Sequence, residues 1–211
     1  MFQDLAKEWC ADQSALLLRL VWDAYDRLKR DHLDRDPIRR EDERKEESLN
    51  LLLFLSIDRC KDRFAPFSVI HEVPEQTAGK GGRAQSPHPD VGFCFYENPR
   101  AVWPLEGKIL ESELDVTAYC AEVTSNFLTG RYATFSNEGA MLGYLLSGDP
   151  NKTFAHIRKG ISCNLLRHQV IPDRPHRVSS HSRENLPDPR SPRGFFCHHM
   201  ILEITSAYQP T

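Results

Sequence analysis

The sequence predicts an α/β sandwich, in which a mixed β-sheet is covered by helices. Apolar residues recur at helical spacing near the N-terminus, and helical patterns return at residues 113–128 and 151–166. Short runs rich in β-branched and aromatic residues lie between these segments and are typical of strands. Helices that alternate with strands along the chain favour a layered α/β fold with a mixed sheet.

Two helices are predicted before the first strand. Residues 3–30 carry a wide apolar face, so we expect this helix to be buried on more than one side or to meet a partner. Pro37 then disfavours helix at the preceding residue. Residues 40–60 form the second helix, whose charged first half places acids near the positive end of the helix dipole.

The predicted strands show period-two alternation or a continuous apolar run. They comprise, in order, residues 67–73, 90–96, 102–110, 139–148 and 194–205. The segment 170–193 is rich in proline, arginine and histidine, and it is expected to form a long loop or ribbon.

The composition indicates a globular protein without a membrane anchor. The chain has 211 residues, of which 40% are apolar and 27% are charged, as in an ordinary soluble domain. It has no apolar run of about 18 residues, and its N-terminus lacks the basic and apolar regions of a signal peptide. A formal net charge of −3 argues against a protein that coats nucleic acid, although it is compatible with a local basic groove.

The cysteines favour a reducing compartment. All six are scattered without a Cys-x-x-Cys pair, and several lie within apolar runs. A reduced cysteine in such a run behaves as a small core residue, so we expect a cytoplasmic location.

The second and third strands carry charges that a buried strand normally avoids. Glu106 and Lys108 share one face of their strand, and Asp90 opens the neighbouring strand. If the two strands pair, Asp90 approaches both. Two carboxylates that meet in a sheet repel each other unless a cation neutralises them, and a divalent ion with oxygen ligands, including the carbonyl of Gly107, would do so. The ammonium of Lys108 would orient a metal-bound water and stabilise charge as that water attacks phosphorus.

Pro89-Asp90 followed by Glu106-Gly107-Lys108 resembles the motif of the PD-(D/E)xK nuclease superfamily. The resemblance implies a restriction-endonuclease-like αβββαβ core within residues 41–211, preceded by a helical extension at residues 1–40. It implies hydrolysis of phosphodiester bonds that depends on Mg²⁺ or Mn²⁺, with Asp90 and Glu106 as metal ligands and Lys108 as the catalytic lysine.

Many members of this superfamily add a glutamate from the helix before the sheet. The second predicted helix offers Glu46 and Glu47, and Glu46 is preferred because it borders the apolar face of that helix.

The resemblance also implies a nucleic-acid substrate, most simply DNA, and groups that contact its backbone. The glycine-rich segment 75–87 carries Lys80 and Arg83, which are candidates for such contacts. The stretch after the active-site motif resembles that of stand-alone members found in defence loci, where Arg131 and Tyr132 would contact phosphate. A role as an antiviral defence effector is an expectation from this likeness alone.

The Glu-x-Lys motif has a simpler interpretation, and it also occurs a second time in the chain. Glu106 and Lys108 would also make an ordinary ion pair on an exposed strand edge, which contributes little stability. Glu43-Arg44-Lys45 has the same Glu-x-Lys spacing in a helical charge run without a preceding Pro-Asp, so it is interpreted as a solvated face.

A partner-dependent or catalytically inactive subunit is the alternative function, because the acidic balance and the wide apolar face of the first helix suit docking. A homo-oligomer or a partner protein is therefore expected.

The late histidines suggest zinc, but they give a weaker signal. His168, His176, His181, His198 and His199 accumulate near Cys197. Their spacing fits no closed four-ligand site, and consecutive residues at 197–199 would alternate between the faces of a strand. The sequence therefore does not predict a zinc site.

Overall fold

The computed structural model describes residues 11–36, 38–39, 45–72, 88–96, 98–204 and 208–209. The helices are α1 (Ala11–Leu28), α2 (Lys45–Cys60), α3 (Thr117–Glu122) and α4 (Pro150–Gly160). Segments of π-helix continue α1 and α3 and span Lys29–Leu33 and Val123–Phe127. The strands are β1 (Ile38–Arg39), β2 (Phe67–His71), β3 (Val91–Phe95), β4 (Asn98–Leu110), β5 (Glu138–Leu145), β6 (Leu166–Arg167), β7 (His176–Ser182), β8 (Gly194–Glu203) and β9 (Tyr208–Gln209).

Seven of these strands form one mixed sheet in the order β2-β3-β4-β5-β8-β7-β6. Strands β2, β3 and β4 are antiparallel neighbours, whereas β4, β5 and β8 run parallel to one another. The β8–β7 and β7–β6 pairs are antiparallel, and β1 pairs with β9 apart from the main sheet. The predicted mixed α/β architecture is therefore confirmed. The segment 170–193, predicted as a loop or ribbon, contributes β7 to the sheet.

The sheet separates two apolar clusters, because successive side chains of a strand point to opposite faces. One cluster joins α1 and α2 to Trp103 and Leu105 of β4. The other joins α3 and α4 to Leu110 of the same strand. Among the described side chains of α1, most of the apolar face is buried in the first cluster, and only Leu16 stands out at 58% exposed. Residues 3–10 of the predicted helix lie outside the described residues. The structure thus gives this face an intramolecular partner, and the domain boundary near residue 40 stays a prediction.

Helix α2 packs unusually close to β4 at Gly107. A Cβ atom placed on Gly107 would lie 2.2 Å from Asn50 Oδ1 and 2.9 Å from the Tyr144 ring. The Tyr144 hydroxyl in turn donates a hydrogen bond of 2.8 Å to Asn50 Oδ1. Only glycine permits this approach, which brings the first turn of α2 to the edge of β4.

None of the helices in the described part of the chain has the length and apolar character needed to cross a membrane. None of the five cysteines within that part forms a disulfide bond, and three of them are buried: Cys94, Cys120 and Cys197.

A buried arginine ties the last part of the sheet to the loop before β5. Arg183 is 1% exposed, and its guanidinium donates hydrogen bonds to the carbonyls of Ala133, Ser136 and Pro192 at 2.7–3.0 Å. It also lies over the Phe195 ring, 4.7 Å from the ring centre. A planar group with five donors can satisfy several carbonyls at once, whereas an ammonium cannot match that geometry.

We therefore expect Arg183→Lys to lower the free energy of unfolding by about 2 to 4 kcal/mol, because it leaves buried carbonyls without donors. Urea denaturation measures the change. Arg158→Lys, at an exposed position of α4, is the matched control and should change stability by less than about 0.5 kcal/mol. Equal effects of the two substitutions would contradict this role for Arg183.

Candidate active site

The candidate site forms where β4 extends beyond β3. The β3–β4 pairing begins at Val91, opposite Leu105, so the following residues of β4 pair with β5 on one side only. Two successive outward N–H groups on the other side are bound by carboxylates. Gly107 N–H donates to Asp90 Oδ2 at 2.8 Å, and Ile109 N–H donates to Glu46 Oε2 at 3.1 Å. The spacing of backbone donors along one strand thus places the two carboxylates side by side.

Lys108 joins the carboxylates of two different elements. Its Nζ lies 2.7 Å from Glu46 Oε1 and 3.3 Å from Glu106 Oε1. The lysine side chain is 17% exposed and that of Glu106 only 6%, so this is not the exposed ion pair of the simpler interpretation. Glu106 Oε2 is buried and makes no hydrogen bond within the described residues, which leaves a carboxylate oxygen available to a ligand.

Burial and mutual repulsion disfavour the charge of the buried carboxyl groups. Burial, followed by repulsion from Asp90, raises the pKa of Glu106 to about 8 against the attraction of Lys108. Burial also raises the pKa of Asp90, and Glu46 adds to that effect, although the Gly107 N–H and Lys108 oppose it. Burial alone would lower the pKa of Lys108, but attraction to Glu106 and Glu46 raises it overall. The lysine therefore stays an ammonium, and its charge does not fully offset the carboxylates.

The donor set suits a small, hard cation. Asp90, Glu106 and Glu46 supply carboxylate oxygens. The Gly107 carbonyl faces the same open edge as its N–H, because both backbone groups of a strand residue project to one side. Carboxylates and a carbonyl are the ligands that Mg²⁺ and Mn²⁺ prefer, and a divalent charge would offset the repulsion that raises the carboxyl pKa values.

The two glutamates at the start of α2 lie in different surroundings. Glu46 bonds both Lys108 and the β4 backbone, whereas Glu47 is exposed. The lysine of the other Glu-x-Lys match, Lys45, lies 3.2 Å from Glu111. The first two residues of that match lie outside the described residues.

The predicted nucleic-acid contacts are only partly brought to the site. Arg131 is exposed. Tyr132 is 7% exposed, and its hydroxyl donates to the carbonyl of His88 at 3.2 Å, so it holds the segment that leads into Asp90. Lys80 and Arg83 lie outside the described residues.

Sequence reasoning missed two contributors to this site. Glu122 of α3 lies close enough to raise the pKa of Glu106 further. Asn50 supports the close approach at Gly107. Asn50 could have been noticed in the sequence, because it is a polar residue at an otherwise apolar, inward-facing position of α2. No sequence signal separated Glu122 from the other acids of its helix.

Comparison with protein-family models, with curated proteins and with solved structures found no match to this chain. What the site does is therefore inferred from its own residues.

We expect Glu106→Gln to stabilise the metal-free protein at alkaline pH. The pKa of this carboxyl is 4.5 when unfolded and about 8 in the fold. The folded protein therefore loses stability as the pH rises from 4.5 to about 8, because the unfolded chain ionises first. The variant should be more stable than wild type by on the order of 2 kcal/mol at pH 9, and the gap should close near pH 5. Urea denaturation across this pH range measures it, and a gap that does not change with pH would contradict the prediction.

Proposed function

We propose that the protein is a metal-dependent nuclease of the PD-(D/E)xK type, which hydrolyses phosphodiester bonds in DNA with Mg²⁺ or Mn²⁺. The observation that carries the proposal is the convergence of Asp90, Glu106, Glu46 and Lys108 at the open edge of β4. The connectivity supports it, because α2-β2-β3-β4-α3-β5 has the αβββαβ order that the resemblance implies. The sheet order and directions of these four strands agree with a three-stranded meander followed by a parallel strand.

Asp90 and Glu106 would hold the metal, with the Gly107 carbonyl and Glu46 as further oxygen donors. When bound, the ion supplies Lewis-acid activation of the phosphate and a water of lowered pKa. Asp90 and Glu46 are already oriented by the N–H groups of β4. The chain therefore spends little conformational freedom on arranging these ligands when metal and substrate bind.

Lys108 acts as a positive charge and hydrogen-bond donor and not as a base. Its raised pKa keeps it protonated in the physiological range. It lies between a buried carboxylate, Glu106, and a half-buried one, Glu46, whose side chain is 36% exposed. A donor in this place orients the attacking water and stabilises the negative charge that develops on the phosphate oxygens.

DNA binding would depend on a few local cations because the chain carries a net charge of −3. Arg131 is exposed and follows Gly130, just after the turn that ends the π-helical continuation of α3. Contacts of this kind are electrostatic, so binding weakens as salt rises. Binding assays with DNA and RNA of equal length measure the preference for one nucleic acid. Repeating them at low and high salt measures how much of the binding is electrostatic.

We expect Asp90→Asn and Lys108→Met each to lower the rate of Mg²⁺-dependent cleavage on the order of 100-fold or more, because each removes a group that acts on the reacting phosphate. Glu46→Gln should lower the rate strongly, whereas the matched variant Glu47→Gln should stay within about twofold of wild type. Gel-based cleavage of labelled DNA gives the rates. Cleavage that survives both Asp90→Asn and Lys108→Met belongs to a contaminant and would refute the assignment.

A wild-type protein that binds Mn²⁺ at this site but cleaves no nucleic acid would favour the alternative of an inactive or partner-dependent subunit. Titration calorimetry shows whether Mn²⁺ binds, with Asp90→Asn as the control that removes binding at this site in either case. The cleavage assay then separates the two outcomes, because cleavage occurs only in the nuclease.

A further inference from the structure

Three histidines converge on the face of the sheet that packs against α1. His176 lies on β7, His198 on β8, and His168 follows β6 directly. His176 is opposite Met200 in the β7–β8 register, so His198 is its diagonal neighbour on the same face. Each of the three rings offers a nitrogen within 4.8 Å of the others, and all three residues are buried.

The two strand histidines are already spaced as metal ligands. His176 Nε2 lies 3.3 Å from His198 Nδ1. Two nitrogens bound to one tetrahedral Zn²⁺ at about 2.0–2.1 Å would be separated by about 3.3–3.4 Å. The sheet register therefore presets one edge of a coordination tetrahedron.

The polar atoms around this pair are incompletely hydrogen-bonded. His176 Nδ1 is buried and makes no hydrogen bond within the described residues. His198 Nε2 and Glu138 Oε2 are also buried, and they meet only in a long ion-pair contact of 3.5 Å. Histidines and carboxylates that serve only packing are normally satisfied when buried. Burial lowers the pKa of His176 well below its usual range and that of His168 to about 4.

We propose that His168, His176 and His198 bind a transition-metal ion of the Zn²⁺ class, and that Glu138 orients His198. Imidazole nitrogens suit Zn²⁺ and its neighbours in the first transition row, whereas Mg²⁺ prefers the oxygen ligands found at the edge of β4. Glu138 Oε2 lies 3.5 Å from His198 Nε2. If His198 binds the metal through Nδ1, its Nε2–H can donate a hydrogen bond to the Glu138 carboxylate. A carboxylate is a usual acceptor for the second ring N–H of a metal-binding histidine.

His168 must turn to complete this site. Its ring stacks on that of His176 with centres 4.4 Å apart and planes 14° apart, and a metal lies in the plane of each ring that binds it. The Nδ1 atom of His168 also accepts a hydrogen bond of 3.1 Å from Ile171 N–H. His168 lines a cavity of about 380 Å³ together with Ser14, Glu138 and His198, and the ring would turn into this space as it gives up the bond from Ile171. The same cavity leaves a fourth position for water or a small ligand.

Cys197 is not part of this site. It belongs to the apolar cluster on the opposite face of the sheet. His199, which hydrogen-bonds Tyr119 and Ser179, lies on that opposite face as well. A metal held by the three histidines thus has nitrogen and oxygen ligands without a thiolate.

Competition for Zn²⁺ against a chromophoric chelator tests the site in the full chain. The Asp90→Asn and Glu106→Gln substitutions are present in every sample to remove the carboxylate site. We expect one tightly bound Zn²⁺ per chain. Glu138→Gln should weaken binding about 10- to 100-fold, and His198→Asn should weaken it further. His88→Asn, at an exposed histidine outside the cluster, should bind Zn²⁺ within twofold of the parent.

Co²⁺ substitution in the parent chain keeps the test valid even where a buried histidine variant fails to fold. The expected spectrum has the intense visible bands of a tetrahedral or five-coordinate nitrogen–oxygen site and lacks a thiolate charge-transfer band. Failure of the parent to bind Zn²⁺, binding by His198→Asn equal to that of His88→Asn, or an octahedral or thiolate Co²⁺ spectrum would each overturn the proposal. Loss of nuclease activity does not affect these measurements, so the two proposals fail separately.

Discussion

The site on β4 depends on a mismatch in strand length. Strand β4 continues past the start of β3, and the N–H groups of its free edge need acceptors because unpaired backbone donors are costly when buried. Asp90 and Glu46 provide the acceptors at Gly107 and Ile109. The same two hydrogen bonds satisfy the free edge of β4 and hold Asp90 and Glu46 near Lys108. One set of contacts therefore serves both the sheet and the candidate metal site.

Helix α2 contributes to this site because it lies against β4 at Gly107. The Asn50–Tyr144 hydrogen bond occupies the space that a side chain at Gly107 would fill. A looser contact would carry Glu46 away from Ile109 and Lys108. Packing in the apolar cluster of α1 and α2 thus decides the position of a charged residue at the end of the helix.

The alternation of faces along β8 separates two kinds of polar surroundings. His198 faces α1 beside His176 and Glu138, whereas His199 faces α3 and bonds Tyr119 and Ser179. Both histidines are nearly or fully buried. Within the described residues, His199 has a hydrogen-bond partner at each ring nitrogen, whereas His198 lies beside a buried nitrogen, His176 Nδ1, that makes no hydrogen bond. This difference distinguishes a candidate ligand site from a satisfied core network.

The sequence alone determined the α/β class and the central strands, because period-two alternation and apolar runs reflect local burial. It also singled out Asp90, Glu106 and Lys108, since a motif on adjacent strands depends on register over a short distance. Only the tertiary structure decided that Glu46 and not Glu47 contacts Lys108, and that His168, His176 and His198 converge. Those contacts join segments far apart in sequence, and no local pattern specifies the packing of α2 on β4 or the β7–β8 register that brings them together.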